Sequence, residues 1–205
     1  MVITLLVFTH LIATCAAIGT IVLTDLRLIA RAMGYRVVIP PPERLETRIV
    51  TVALMVLYLT GVALVAAGVQ GASDYLTNPK LQAKLALVVL LTLNAFILHL
   101  WVFPILGRAR TVSRWKRRDR LVVAASVSLS NSLWFYCAFL GVARLWNGTV
   151  SLGFVLLVAL MVWAVTLLMA HVLLVVASRD APQVRPDWID SMKASISDFS
   201  ALRDR

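Results

Sequence analysis

Five stretches of about twenty apolar residues, separated by polar or basic connections, constrain this chain more than any other feature of its sequence. They lie near residues 3–24, 49–70, 83–106, 121–143 and 152–177. A helix rises about 1.5 Å per residue, so each run is long enough to cross a hydrocarbon core about 30 Å thick. No run carries a charged face, and in lipid only a helix or a closed barrel satisfies its own backbone. The fold class expected is therefore all-α: a polytopic bundle of five transmembrane helices over residues 1–178, followed by a tail over 179–205. Composition points the same way, since 15% of the residues are charged where a soluble domain carries roughly a quarter. Cys15 and Cys137 both fall inside apolar runs, which excludes a disulfide scaffold or a zinc finger.

The charges orient the bundle. Of twenty Lys and Arg, seventeen sit in the first connection (Arg27, Arg31, Arg36, Arg44, Arg48), in the third (Arg108 to Arg120) or in the tail after Ser178. The opposite side keeps only Lys80, Lys84 and Arg144. The positive-inside rule then predicts a cytoplasmic C-terminus and an outer N-terminus. The first run lacks a basic n-region and is too long for a cleaved signal, so it reads as a true span. Pro40, Pro41 and Pro42 stiffen the first connection into an extended segment. In the tail, Pro186 and Asp187 start a helix on which Trp188, Ile189, Met192, Ile196 and Phe199 form an apolar stripe. That stripe suits packing at the lipid interface or on the protein's own cytoplasmic face.

No Asp or Glu lies within the five runs; Asp25 stands at the inner edge of the first, beside Arg27, as an interfacial ion partner or helix-end group. Carboxylate proton relays, carboxylate cation sites and paired-carboxylate hydrolysis therefore have no residues to carry them. No zincin, P-loop or nucleotide-binding glycine motif is present. The interior does hold every histidine of the chain: His10, His99 and His171. Counted from the nearest cytoplasmic basic residue, His99 and His171 lie at about the same depth, 12 to 14 Å, and His10 at about 26 Å. Two imidazoles at one depth on separate helices suit axial ligation of haem b. Each ring equally suits a neutral hydrogen bond to a carbonyl or to a hydroxyl such as Thr92 or Thr166. A zinc or copper site has only Cys137 to join a histidine.

Lys84 opens the third run at the outer interface, where it snorkels or pairs with an anionic group such as a porphyrin propionate near His10. Asn94 and Asn131 lie mid-span, suited to helix-to-helix hydrogen bonds or to a polar cavity. The basic third connection serves topology. It carries one aromatic residue, Trp115, and no folded platform, so nucleic acid is not an expected partner.

The segment from Lys84 to Leu91, with Asn94 ten residues after the lysine and Pro104 at the far end, resembles a helix of several small bacterial membrane proteins. These are the membrane protoporphyrinogen oxidase family, the copper-resistance membrane domain and the membrane domain of a cytochrome-type urate oxidase. The spacing of His10, Gly19 and Arg27 is similar to the His, Gly and Arg of the oxidase family's first helix. The resemblance covers two of the five runs. It implies that His10 is a haem-ligand candidate and that Lys84 matters to the site. Asn94 stands near where that family tends to have a histidine, while His99 is displaced and the span count differs, so the resemblance carries a cofactor but no reaction.

Two functional expectations follow. One is an integral membrane b-type haem protein with an electron-transfer or redox role. It would use His99 and His171 as an axial pair, or His10 as a separate ligand with Lys84 near a propionate, in contact with a redox partner. The other is a cofactor-free membrane subunit of a larger complex, or a permease for a small neutral molecule passing Asn94 and Asn131.

Overall fold

The structure is a computed structural model and describes residues 1–32, 39, 41–72, 74–108 and 112–178. Among the described residues six α-helices build five rods: α1 (Val2–Ala32), α2 (Arg44–Gly71), α3 (Pro79–Ile97), α4 (Phe103–Leu106), α5 (Arg117–Val142) and α6 (Leu152–Ser178). A π-helical turn, Leu98–Val102, joins α3 to α4, and the three together make the third rod. All five rods are long and apolar enough to cross a membrane. The tail helix expected around Trp188 to Phe199 lies outside the described residues.

Local chemistry sets the helix starts. Glu43 and Glu46 form a reciprocal capping box at the head of α2, each satisfying a backbone N–H of the first turn. The Asn78 side chain accepts from the Lys80 N–H at 3.0 Å, and Pro79 supplies a first residue whose missing N–H is not needed. Within the third rod Pro104 has no N–H to donate, and its ring would crowd the Leu100 carbonyl of a regular helix. The preceding turn widens instead, and the Phe103 N–H reaches the Leu98 carbonyl, five residues back.

The least apolar span, α5, is the most enclosed, and the most apolar, α6, is the least. The order follows from partners: Ser128 and Asn131 of α5 find hydrogen bonds to Trp163 of α6 and Asp25 of α1, whereas an all-round apolar rod is at home against lipid. α5 packs on α6, α3 and α1, and α1 packs along α2. Two apolar clusters result. Ala17, Ala83, Leu87, Leu133, Leu140 and Val155 fill the half towards the N-terminus of α1, and Val102, Leu106, Val112, Trp115, Val123 and Leu174 fill the other. The second cluster lies at the arginine-rich end, where Arg27 pairs with Glu46 at 2.5 Å and Arg108 with Asp119 at 3.8 Å.

One expectation changes here. Asp25 is not the partner of Arg27. It accepts a hydrogen bond from Asn131 Nδ2 at 2.6 Å, inside a helix that continues to Ala32. Arg27 turns to α2, so the two neighbouring charges are satisfied by different helices.

Candidate functional site

The half of the bundle away from the arginine-rich end brings His10 of α1, Thr60 of α2, Lys84 of α3 and Cys137 of α5 into one neighbourhood. His10 is half-buried, and its Nδ1 lies 2.8 Å from Thr60 Oγ1. Thr60 uses its own hydroxyl hydrogen on the Val56 carbonyl, at 2.7 Å. It must therefore accept from His10, so the ring donates from Nδ1 and keeps the Nε2 lone pair for another partner. A histidine held through one nitrogen and open at the other is the arrangement metal-binding imidazoles adopt.

Lys84 is half-buried in the second turn of the third rod. Its ammonium lies against Gly141, where an added Cβ would stand 3.6 Å from Nζ. Its charge acts on both His10 and the buried thiol of Cys137. Among the described residues no hydrogen bond or ion pair reaches Lys84, so this cation inside an apolar span has no counter-charge. Lys80, one turn earlier, behaves differently. It is buried and donates to the Ala143 carbonyl at 2.8 Å and to Asn147 Oδ1 at 2.9 Å, tying the start of α3 to the end of α5. Of the two lysines it is Lys80 that is tied to the polar end of the bundle.

The remaining candidates are dispersed. His99 stands in the π turn on the exposed outside of the rod, donating from Nδ1 to the Ala95 carbonyl at 2.8 Å, with the Phe103 ring edge-on at 4.9 Å. His171 is exposed on α6 and makes no hydrogen bond, ion pair or ring contact among the described residues. No described contact joins the two. Asn94 is 1% exposed and donates to the Ser126 carbonyl of α5 at 2.9 Å, while its own Oδ1 is buried with no partner among the described residues. Asn94 and Asn131 thus both bridge helices, and Thr92 takes Tyr58 of α2 rather than a histidine. Thr166 likewise bonds backbone carbonyls, one of them Ser128 of α5 at 3.3 Å.

Thr60 carried no signal in the sequence, because one hydroxyl in an apolar run does not disclose which histidine it faces. Among the described residues no cluster of three His, Cys, Asp or Glu is arranged to hold a metal ion alone. A groove between α1 and α2 lies close by, but His10 is not one of its walls. What the neighbourhood offers chemically is one open imidazole nitrogen and one uncompensated ammonium in apolar surroundings. No family model, curated protein or solved structure matches this chain.

Proposed function

We propose that this multi-pass membrane protein binds a b-type haem in the half of the bundle away from the arginine-rich end, in an electron-transfer or redox role. The observation that carries the reading is the uncompensated Lys84 ammonium beside a histidine whose Nε2 is open. The two groups ask for a ligand that is an acceptor for a lone pair at one point and an anion at another. A porphyrin with an iron centre and carboxylate arms meets both demands, and the apolar neighbours suit its ring. Haem when bound would supply one-electron chemistry.

In this reading Thr60 orients His10, fixing the tautomer and leaving Nε2 as the ligand atom. Lys84 neutralises a carboxylate, which removes the cost of leaving its own charge unpaired in the span. Cys137 and Gly141 line the approach to that ammonium. His99 and His171, exposed on the outside of the bundle, are not required. Nor does Asn94 belong to the site, since its amide is engaged with α5.

The test is an optical spectrum of the full chain, expressed with ample haem supply and purified in mild detergent. A Soret band is expected, lost in His10→Ala, weakened in Lys84→Met, and retained in His99→Ala and His171→Ala. Absence of any band overturns the haem reading and leaves a cofactor-free subunit. A band that depends on His99 and His171 but not on His10 moves the site to the axial pair.

A further inference from the structure

We propose that the groove between α1 and α2 is a binding site for one anionic phospholipid, its acyl chain lying in the groove and its phosphate on Arg48. The groove has a volume of about 510 Å³. Ile12, Ala13 and Ala16 of α1 face Val52, Ala53 and Val56 of α2 across it, and the three alanines leave the space that larger side chains would fill. Ile12 and Val52 are exposed, so the groove opens sideways to the surrounding lipid. From the level of Arg48 to that of Val56 it runs eight residues of helix, about 12 Å. That is within the depth of one leaflet, about half of a 30 Å core. Apart from Thr9 at one end and Arg48 at the other its walls are apolar, and they offer an alkyl chain dispersion contacts along its length.

Charge selects the headgroup. Arg48 sits at the arginine-rich mouth of the groove, one turn inside the start of α2. The nearby acids are already engaged: Glu46 holds Arg27 at 2.5 Å and the Glu43 N–H at 3.0 Å, and Glu43 itself lies 3.7 Å from Arg27. Among the described residues Arg48 has no hydrogen bond or ion pair, and neither has Arg44. The Arg48 guanidinium, at headgroup level and at the mouth of an apolar slot open to lipid, complements a phosphate that carries net negative charge, and a guanidinium fork matches phosphate oxygens in pairs. A zwitterionic lipid offers the same phosphate, but its ammonium cancels the long-range attraction.

The inference stands apart from the haem reading, because neither Arg48 nor Ala16 takes part in that site. Native mass spectrometry of the full chain tests it, after equilibration in mild detergent with equal amounts of phosphatidylglycerol and phosphatidylcholine of matched chains. One retained phosphatidylglycerol is expected, preferred about fivefold for a single arginine at the membrane surface. Arg48→Ala should abolish the preference and Arg114→Ala, at another basic connection, should keep it. Ala16→Phe places a ring in the groove from a solvent- or lipid-exposed position and should expel the retained lipid without lowering the unfolding temperature of lipid-free protein. Equal retention of the two lipids overturns the proposal, as does a preference that survives both Arg48→Ala and Ala16→Phe. Retention lost in Arg48→Ala but intact in Ala16→Phe would mean headgroup attraction without a groove, and also overturns it. So would inorganic phosphate alone matching the effect of the lipid, a dimer that Ala16→Phe abolishes, or a Soret band that Ala16→Phe removes.

Discussion

Asn131 and Asp25 face each other across the α1–α5 contact at 2.6 Å, one amide N–H donating to one carboxylate oxygen in a half-buried position. Removing the donor leaves an acid among apolar neighbours, and stranding a buried charged acceptor costs about 1–3 kcal/mol or more. Asn131→Ala should therefore lower the detergent unfolding midpoint by an amount in that range. Ser130→Ala on the neighbouring position should change it by no more than about 0.5 kcal/mol. Equal effects would mean that the pair contributes nothing beyond its volume. The same pair marks how far side-chain roles were legible in the sequence. That Asn94 and Asn131 are mid-span polar groups needing partners is visible from their place in apolar runs. The partners are not: one is the backbone carbonyl of Ser126, which every residue type carries, and the other lies 106 positions away. The histidines repeat the lesson, since counting residues gives depth but not rotation about the helix axis. His99 and His171 count to one level and yet both are exposed on the outside of the bundle, whereas His10, set apart by depth, meets Thr60 and Lys84.

Elements were more legible than side chains, because length and apolarity alone decide whether a run spans lipid. All five expected runs are helices, and the ends that moved did so for identifiable reasons. α1 runs on to Ala32 because Asp25 and Arg27 find partners on α5 and α2 instead of ending the helix. α2 begins at Arg44 because the Glu43–Glu46 box caps it there. The π turn at Leu98–Val102 was hidden: Pro104 announces a break but not whether the rod kinks, frays or widens. A π turn is a single-residue insertion in an α-helix, which yields a register prediction. Deleting Leu100 together with Pro104→Ala should give a continuous α-helix with Val102 and Leu106 still facing the core. Deleting Leu93 from the regular part of α3 should rotate everything beyond it by about 100° and abolish folding. Both residues are exposed, so lost contacts cannot separate the two deletions. Yield and unfolding temperature of the two variants in detergent make the comparison, and equal damage would contradict the register argument.

For the whole molecule, the five rods place the basic connections together at one end and leave Lys84 and His10 in the other half. The account of function depends on which face of the membrane each end meets, because a ligand for Lys84 has to enter from the side poor in arginine. The positive-inside rule predicts that this side faces away from the cytoplasm. Labelling with a membrane-impermeant maleimide measures this directly, in a background of Cys15→Ser and Cys137→Ala. Leu145→Cys, in the exposed turn after α5, should label in intact cells, and Arg114→Cys, in the basic connection before α5, only after the membrane is opened. Labelling of both in intact cells, or of Arg114→Cys alone, would contradict the arrangement on which the His10–Lys84 site rests.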